Sequence, residues 1–269
     1  MSDFRNRVVL ITGGASGIGK IMGRLALDRG AAHLVIWDQD ATALARTAAQ
    51  WADAGPRLHT LAIDITNTTM LETACHALLQ QLQRVDILIN NAGIVAGKLF
   101  QDHTAADIDR TMQVNSLAMM QLTRLLLPGM MARGEGHICN IASAAGLIYN
   151  PKLSVYCASK WAVIGWSESL RLEMEMQRTG VRITTVAPYY INTGMFAGVR
   201  SLIPILEPAP TAGRIIRAIE RNRIFLKMPG LVNLIPPVKG LLPIRWFDWL
   251  VGKVLRTHAT MTYFTGRRE

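Results

Sequence analysis

The sequence has few cysteines and lacks the spacings that would give them a structural role. Its 269 residues include only Cys75, Cys139 and Cys157, which lie far apart and form no CxxC pair. An odd number of scattered thiols argues against a disulfide framework, a zinc ribbon or a redox motif. We therefore expect three ordinary reduced thiols in a protein that stays inside the cell.

Signatures of metal binding, nucleic-acid binding and secretion are also absent. The six histidines form no HxxH or HExxH motif, so we expect no bound metal. There is no zinc-finger spacing, RNP motif or base-reading basic helix, and nucleic acid is not an expected partner. The polar segment 1–7 leads directly into a strand-like run, unlike a secretory signal, which favours a cytoplasmic protein.

What the sequence does contain is a regular alternation of two hydrophobic patterns. Short apolar runs, typical of parallel strands buried on both faces, are found at Val8–Thr12, Leu34–Trp37, Leu58–Ile63, Ile87–Ile89, His137–Ile141 and Arg182–Ala187. Helix-type spacing marks the segments Ile18–Arg29, Ala41–Trp51, Met70–Gln83, Ala105–Met131 and Val155–Arg178. Strand alternating with helix predicts an α/β fold with a doubly wound parallel sheet.

The pattern changes near residue 200. Half of the residues are hydrophobic, which is enough for one large α/β domain, and no linker interrupts the alternation before that point. Seven prolines between positions 204 and 243 then divide the chain into what we interpret as short helices and loops. We predict a single domain, with 1–200 as its main part and 201–269 as a helical and loop extension of the same domain.

A glycine-rich turn follows the first apolar run. The segment Thr12–Gly19 reads TGGASGIG and leads into a helix. Glycines let the backbone turn sharply and approach a pyrophosphate, whose charge is favoured at the N-terminus of the next helix. A plain strand-to-helix turn would give the same local pattern. The residues assigned to a cofactor-binding turn are Gly13, Ser16, Gly17, Ile18 and Gly19.

An acidic residue lies where a second contact with the dinucleotide is expected. Asp38 ends the apolar run 34–37, nineteen residues after Gly19. Its carboxylate can accept hydrogen bonds from the adenosine ribose hydroxyls and would repel a 2′-phosphate. No Arg or Lys follows closely, so the pattern favours NAD over NADP. Asp38 could instead cap the helix beginning near Ala41, although Asp40 is better placed for that role.

Four polar residues form a candidate acid–base group. Tyr156 and Lys160 are four positions apart in a segment with helical spacing, so their side chains lie on one face. A lysine ammonium beside a phenol favours phenolate and lowers the phenol pKa from about 10 toward neutrality. Ser143 follows the strand 137–141 and can hydrogen-bond the reacting oxygen. Asn115 is unfavourable in mid-helix unless it serves a polar relay or an ordered-water site.

Together, these motifs make the sequence resemble the short-chain dehydrogenase/reductase family over residues 5–200. The elements that follow this family's order are Thr12–Gly19, Asp64, Asn90–Gly93, Asn115, Ser143, Tyr156, Lys160 and Pro188–Thr193. The resemblance implies a Rossmann-type fold in which Tyr156 is the catalytic acid/base, and Lys160 tunes it and holds the nicotinamide ribose. It also implies that Ser143 positions the substrate oxygen and that Asn115 maintains a proton-relay water.

The same resemblance implies further cofactor contacts and an oligomer. The residues concerned are Asp64 and Ile65 at the adenine, Asn91, Ala92 and Gly93 along the cofactor cleft, and Pro188, Ile191 and Thr193, of which the last two would hold the nicotinamide amide. A homodimer or homotetramer would form through the helices that contain Asn115 and Tyr156. One departure is Tyr189, since the family often has Pro-Gly after the sixth strand. The resemblance therefore does not predict the shape of that loop.

Positive charge is concentrated near the C-terminus. Residues 214–269 carry 11 Lys and Arg against 3 Asp and Glu, which gives +8 of the net +10. Such a region can attract nucleic acid, anionic lipid or an acidic partner. Within it, 231–256 is apolar, aromatic and basic, but its prolines exclude one continuous membrane-spanning helix. Two interpretations stay open: a peripheral, interfacial membrane anchor, or a lid over the cleft and the oligomer interface.

The turn 192–196 and the apolar C-terminus are similar to the branch of this family that acts on retinoids, steroids and other lipophilic alcohols. The predicted function is therefore hydride transfer between NAD(H) and a lipophilic or secondary alcohol or ketone. The alternative is a non-catalytic NAD-binding sensor or a membrane-associated scaffold on the same fold. The intact set of Asn115, Ser143, Tyr156 and Lys160 favours the enzyme.

Overall fold

The computed structural model describes residues 2–266 and has a parallel sheet of seven strands at its centre. The strands are β1 (Val8–Thr12), β2 (His33–Asp38), β3 (Leu58–Ala62), β4 (Ile87–Asn90), β5 (Gly136–Ile141), β6 (Val181–Pro188) and β7 (Phe225–Met228). Their order across the sheet is β3-β2-β1-β4-β5-β6-β7. The strand order therefore reverses between β1 and β4, which creates a crevice at their carboxyl ends. Met1 and 267–269, the outermost residues of the two predicted regions, lie outside the described residues.

Helices cover both faces of the sheet. They are α1 (Gly17–Asp28), α2 (Ala41–Gln50), α3 (Thr68–Leu82), α4 (Ala105–Met112), α5 (Ala118–Arg133), α6 (Ser154–Met176), α7 (Pro208–Glu220), α8 (Ile235–Leu241) and α9 (Ile244–Trp249). Two π-helical segments, Gln113–Leu117 and Leu250–Val254, join α4 to α5 and extend α9. This architecture confirms the predicted fold class, a Rossmann-type doubly wound parallel sheet with a C-terminal helical extension.

Side-chain caps fix where several helices begin. Asp40 accepts a hydrogen bond from the backbone N–H of Ala43 at 2.8 Å, so it caps α2 as predicted. Thr104 and Asp107 form a capping box at the start of α4. Because Asp40 caps α2, Asp38 does not have that structural role.

Strand β1 shows how the sheet separates two hydrophobic cores. Val9 and Ile11 belong to the core that includes residues of α1 and α7. Val8 and Leu10 belong to the core on the other face, with residues of α3, α5 and α6. Successive side chains of a strand point to opposite faces. Both faces are covered, which explains why the strand sequences lack polar alternation.

The chain after residue 200 differs from the prediction. Helix α7 packs against α1 through the buried residues Ile215, Ile216 and Ile219, and β7 pairs in parallel with β6. The prediction of only short helices and loops there is wrong, because a core helix and the last strand of the sheet lie beyond residue 200. The prolines were misleading: Pro208 and Pro210 lie in the first turn of α7, where proline is tolerated.

The three cysteines remain apart in the folded chain. Cys75, Cys139 and Cys157 are buried and form no disulfide, which confirms the prediction of free thiols. Burial raises the pKa of Cys75 to about 12, since a thiolate is disfavoured away from water.

No helix within residues 2–266 combines the length and apolarity needed to cross a membrane.

Candidate active site

One cleft at the carboxyl ends of the strands gathers most of the predicted site residues. The loops after β1, β4, β5 and β6 surround it, as expected for ligand sites in open parallel sheets. The predicted residues that line it are Gly13, Ser16, Gly17, Ile18, Asp38, Asp64, Ile65, Asn91, Ala92, Gly93, Ser143, Tyr156, Lys160, Pro188, Ile191 and Thr193. Gly19 and Asn115 do not line the cleft.

The turn after β1 depends on glycine at three positions. Gly13 and Gly17 have positive φ angles of 63° and 56°, in the left-handed region that other residues rarely adopt. A Cβ on Gly19 would clash with the carbonyl oxygen of Gly13, so the first turn of α1 packs directly against the preceding loop. Gly19 therefore lies where the first turn of α1 meets the loop, which explains why it does not line the cleft.

Asn91 ties the glycine turn to the loop after β4. Its side-chain amide donates to the carbonyl oxygens of Thr12 and Gly13 at 3.0 and 2.9 Å. In return, the Thr12 hydroxyl accepts hydrogen bonds from the backbone N–H groups of Asn91 and Ala92, both at 3.1 Å. These four hydrogen bonds hold the two loops in one arrangement.

Asp38 lies at the end of β2, on the rim of the cleft. One carboxylate oxygen accepts a hydrogen bond from the backbone N–H of Ala15 at 3.0 Å. The other accepts from the backbone N–H of Asp40 at 3.1 Å. The two bonds fix the carboxylate beside the glycine turn.

Arg110 is a cleft residue that the sequence analysis missed. Its guanidinium donates to Asp64 at 2.8 Å, to the Thr66 hydroxyl at 2.9 Å and to Gln39 at 3.0 Å. Partial burial acts to raise the pKa of Asp64, but hydrogen bonds from Thr66 and Arg110 hold it below its ordinary value. Arg110 and Asp64 are 46 positions apart, and no local pattern links them because only the folded sheet brings α4 to the end of β3.

Asn115 is fully buried in the π-helical segment between α4 and α5. Its side-chain oxygen accepts from the backbone N–H of Ile94 at 2.8 Å. Its amide nitrogen donates to the carbonyl of Ile94 at 3.0 Å and to the hydroxyl of Ser159 at 3.1 Å. Asn115 therefore anchors the loop after β4 to α6. The π turn interrupts the continuous helix predicted over 105–131, and such turns are frequent at functional sites.

Lys160 is a cation held inside the protein. Its ammonium donates to the carbonyl of Ile141 at the end of β5, at 2.9 Å, and the residue is only 3% exposed. Burial lowers the pKa of Lys160 to about 8, because the charged form is costly away from water. A Cβ on Gly93 would lie 3.7 Å from this ammonium and 3.4 Å from the Asn115 oxygen, so Gly93 is adjacent to both groups.

Tyr156 faces the same cleft as Lys160, but its pKa does not follow the prediction. The Lys160 nitrogen lies 5.8 Å from the centre of the phenol ring. Burial raises the pKa of Tyr156, and a hydrogen bond with Ser143 offsets only part of this rise. When only the groups of the protein are considered, the prediction that Lys160 lowers the pKa of Tyr156 is therefore wrong. The loss of water around the phenol outweighs the charge of Lys160, whose ammonium hydrogen-bonds a backbone carbonyl.

Ser143 joins the ends of two strands beside the phenol. It follows β5, and its hydroxyl donates to the carbonyl of Pro188 at the end of β6, at 3.4 Å. The same hydroxyl accepts from the backbone N–H of Ala145 at 3.1 Å. These contacts hold the hydroxyl on the cleft wall that Tyr156 also lines, where it acts to lower the pKa of the phenol.

An aromatic wall, formed by Tyr189, Tyr190 and Phe196, is a second feature that the sequence analysis missed. Phe196 packs edge-on against Tyr156 and Tyr190, with ring centres 5.7 and 4.9 Å apart. Tyr189 packs against Tyr190 at 4.6 Å. All three line the cleft. The departure at Tyr189 was visible in the sequence, but its consequence, a largely apolar side of the cleft, depends on the fold.

The C-terminal segment 231–256 packs against residues that form one wall of the cleft. Of the residues that the structure describes in this range, none lines the cleft. Phe247 packs on Ile148, and Asp248 accepts a hydrogen bond from the Tyr149 hydroxyl at 2.8 Å. Ile148 and Tyr149 do line the cleft, so the segment holds one of its walls in place.

Similar proteins share both the sequence pattern and the architecture. The family model described as short chain dehydrogenase matches residues 7–203. The chain is 35% identical over 268 residues to "Epidermal retinol dehydrogenase 2" of Mus musculus, covering 97% of this chain and 86% of that protein. It is 33% identical over 250 residues to "Estradiol 17-beta-dehydrogenase 11" of Homo sapiens, covering 92% of this chain and 83% of that protein.

Solved structures of short-chain dehydrogenases share the architecture of this chain. A short chain dehydrogenase/reductase from Burkholderia phymatum in complex with NAD has a TM-score of 0.80 and 26% identity, covering 87% of this chain and 93% of that one. A metagenomic short-chain oxidoreductase in complex with NADP has a TM-score of 0.70 and 27% identity, covering 84% and 96%.

Proposed function

The chain belongs to the short chain dehydrogenase family of oxidoreductases, and on that basis we propose that it transfers a hydride between NAD(H) and a lipophilic secondary alcohol or ketone. The observation that carries the proposal is that Tyr156, Lys160 and Ser143 line the same cleft as the glycine turn. An acid–base group and a dinucleotide site must share one cavity for hydride transfer to be coupled to proton transfer.

The cleft has the features that a dinucleotide needs. Ser16 precedes α1 without capping it through its side chain, so the first N–H groups of this helix are available to a pyrophosphate. A Cβ on Gly17 would lie 3.6 Å from Thr193, so the glycine turn and the loop after β6 are close enough to hold one ligand between them. When bound, NAD⁺ supplies the hydride acceptor at its nicotinamide ring, whose positive charge also favours phenolate nearby.

We assign the remaining cofactor contacts by position along the cleft. The residues that would hold the dinucleotide are the glycine turn at the pyrophosphate, Asp38 at the adenosine ribose, Asp64 and Ile65 at the adenine, Asn91, Ala92 and Gly93 along the floor, Lys160 at the nicotinamide ribose, and Pro188, Ile191 and Thr193 at the nicotinamide. All of these residues belong to the cleft lining except Gly19 in the glycine turn.

The preference for NAD over NADP rests on Asp38. Its carboxylate is fixed on the cleft rim by the backbone N–H groups of Ala15 and Asp40, and it would repel a 2′-phosphate. Arg110 is the cation in this part of the cleft, but it is paired with Asp64 at 2.8 Å. Its charge is therefore largely compensated and offers little attraction to an added phosphate. Related structures contain either dinucleotide, so the choice depends on these residues of this chain.

The proton step is assigned to Tyr156. In the reductive direction, its raised pKa keeps the phenol protonated and ready to protonate the carbonyl oxygen of a ketone. Ser143 lines the cleft with the phenol and would position the same substrate oxygen. Lys160 would hold the cofactor ribose and bring positive charge close to the phenol. Asn115, through Ile94, would keep the loop after β4 in place and support a relay water.

A lipophilic substrate is supported by the walls of the cleft. Phe196 lies edge-on to the phenol ring at 5.7 Å, and Tyr190 is 7% exposed. A substrate whose reacting oxygen meets Tyr156 would therefore place its carbon skeleton against aromatic rings. The names of the relatives, a retinol dehydrogenase and an estradiol dehydrogenase, agree with this chemistry.

We also propose a homodimer or homotetramer through the helices that contain Asn115 and Tyr156, where Leu117 and Trp161 are 41% and 43% exposed.

The test is a panel of lipophilic secondary alcohols, steroids and retinoids, assayed for NADH fluorescence with NAD and NADP in parallel. We expect turnover with at least one lipophilic alcohol and a higher kcat/KM with NAD. Tight binding of NAD with no turnover across the panel would instead support the non-catalytic NAD-binding sensor. Faster turnover with NADP would contradict the role given to Asp38.

A further inference from the structure

The C-terminal helices carry an exposed aromatic and basic surface that the proposed chemistry does not use. The outer face, as we name it, consists of Leu241, Ile244, Arg245, Trp246, Trp249 and Lys253. Its four apolar members are between 57% and 83% exposed, and both basic residues are exposed as well. Large apolar side chains grouped at this level of exposure indicate an interaction site.

Helical periodicity explains why these side chains point away from the protein. Helix α9 continues through the π-helical segment Leu250–Val254, and Phe247 packs inward with Ile148 and Val251. Residues advance by about 100° along a helix. Trp249 therefore lies on the side opposite the buried anchor Phe247, and Lys253 is exposed in the π-helical segment that follows. The helix has one face for the protein and one for an external partner.

The charge near the outer face is positive. The basic residues of 231–256 are Lys239, Arg245, Lys253 and Arg256. Asp248 is the one acidic residue in this segment, and it accepts a hydrogen bond from Tyr149 on the cleft side of the helix. The partner that complements this surface must therefore be anionic and also able to receive tryptophan and leucine side chains.

We propose that the outer face docks onto the surface of an anionic lipid bilayer. Tryptophan rings favour the headgroup level of a membrane, and Lys and Arg beside them attract anionic headgroups. A second copy of the chain fits less well, because a symmetric contact would bring Arg245 and Lys253 of one outer face against the like charges of the other. The helix would lie along the bilayer surface, with Trp246 and Trp249 in the headgroup layer.

Docking would bring the bilayer close to the proposed substrate site. Tyr149 lines the cleft and donates to Asp248, and its ring lies 6.2 Å from the ring of Phe247 in an edge-on contact. The bilayer and the cleft wall would thus be separated by about one helix diameter, roughly 10 Å. A lipophilic alcohol would then be taken from the membrane. This supply step rests on the proposed function, whereas the docking itself does not.

The docking is tested by sedimenting the full chain with vesicles, without dinucleotide or alcohol. We expect binding to vesicles of phosphatidylcholine and phosphatidylserine at low salt, and at least about tenfold weaker binding to phosphatidylcholine alone or at high salt. A full chain that stays in the supernatant with the anionic vesicles at low salt would overturn the proposal.

The apolar contribution is tested with Trp246→Ser/Trp249→Ser. We expect at least about tenfold weaker vesicle binding. The matched control is Met70→Ser/Met176→Ser, which removes two side chains that are 47% and 82% exposed on other helices. Unchanged vesicle binding by the tryptophan variant would overturn the proposal. So would loss of an oligomer of the lipid-free protein in this variant alone, because the outer face would then be an interface between copies of the chain.

The basic contribution is tested with Arg245→Glu/Lys253→Glu. Its control is Arg46→Glu/Arg214→Glu, an equal change in net charge at two exposed arginines elsewhere. We expect the first variant to lose vesicle binding by about tenfold more than the second. Equal losses would overturn the proposal, because net charge rather than the outer face would then drive the association. Because no enzymatic turnover is measured, a failure of the proposed dehydrogenase activity would leave these results unaffected.

Discussion

Tyr156 and Lys160 are both buried, and burial moves their pKa values in opposite directions. The pKa of Tyr156 rises and that of Lys160 falls to about 8, and each shift favours the neutral form of the group. A protonated phenol beside an amine that still carries its proton at neutral pH is suited to donate a proton to a ketone. In the oxidative direction the phenol must first lose that proton. The positive charge of bound NAD⁺ would favour this loss.

The first prediction concerns the phenol itself. Tyr156→Phe keeps the ring and its contact with Phe196 but removes the proton donor. We expect NADH to bind with nearly unchanged affinity and kcat to fall about 10³-fold, within the range for general acid–base catalysis. Dinucleotide titration and steady-state turnover measure the two quantities separately. Near-normal kcat would exclude Tyr156 as the acid/base.

A second prediction concerns the stability cost of the buried lysine. The folded-state pKa of Lys160, about 8, lies below its ordinary value of 10.5, so the buried charge destabilises the fold at pH values below 8. This cost disappears as the pH rises from 8 to 10.5. Replacing Lys160 by Met should therefore raise the free energy of unfolding at pH 7 by about 1–2 kcal/mol while abolishing turnover.

Urea denaturation of both proteins between pH 7 and pH 10 checks this prediction. The two unfolding free energies should converge toward the alkaline end, because the wild-type lysine loses its charge there. A Lys160→Met protein that is less stable than the wild type at pH 7 would mean that the hydrogen bond to Ile141 outweighs desolvation.

A third prediction concerns dinucleotide choice. Asp38→Asn has the same shape and keeps an oxygen for the N–H of Ala15, but it removes the negative charge. The ratio of kcat/KM for NAD to that for NADP should fall by about tenfold or more. Asp40→Asn is the control, since asparagine also caps helices and this ratio should stay close to the wild-type value. An unchanged ratio in Asp38→Asn would remove Asp38 as the selecting group.

At the scale of elements, the hydrophobic pattern alone located the first six strands to within about one residue of their observed bounds. Strand β7 was missed because it is short, contains the polar residue Lys227 and lies in the proline-rich part of the chain, whereas β4, of the same length, is buried throughout. The π-helical turn at 113–117 was missed for a different reason. Asn115 drew attention as an unfavourable mid-helix residue, but the sequence does not show that its side chain bonds to Ile94.

The fourth prediction tests that π-helical element. Asn115→Ala leaves the partly buried backbone N–H and carbonyl of Ile94 without their side-chain partner. We expect the free energy of unfolding to fall by about 1–3 kcal/mol, since an unsatisfied polar group costs about 1–3 kcal/mol when it is buried and less when it is partly exposed to water. We also expect kcat to fall, because the loop after β4 lies against Lys160. A loss of stability below about 0.5 kcal/mol would show that the loop is held by other contacts.

At the scale of the whole molecule, the sheet determines which distant residues meet. The glycine turn and the Tyr156–Lys160 pair are recognisable locally, and the fold brings both to one cleft. The ion pair of Arg110 with Asp64 and the aromatic wall could not be predicted, because they join segments that approach each other only at the carboxyl ends of the strands. Such contacts shape the parts of the cleft that we assign to the dinucleotide and the substrate.

The most direct test of the proposed function follows a single deuterium atom. A lipophilic secondary alcohol deuterated at its carbinol carbon is incubated with the full chain and NAD, and the recovered dinucleotide is analysed by mass spectrometry. We expect one deuterium in the nicotinamide ring of the NADH formed by the wild type, and almost none with Tyr156→Phe in the same time. Bound dinucleotide that acquires no deuterium from any alcohol of the panel would contradict the assignment of this cleft to hydride transfer.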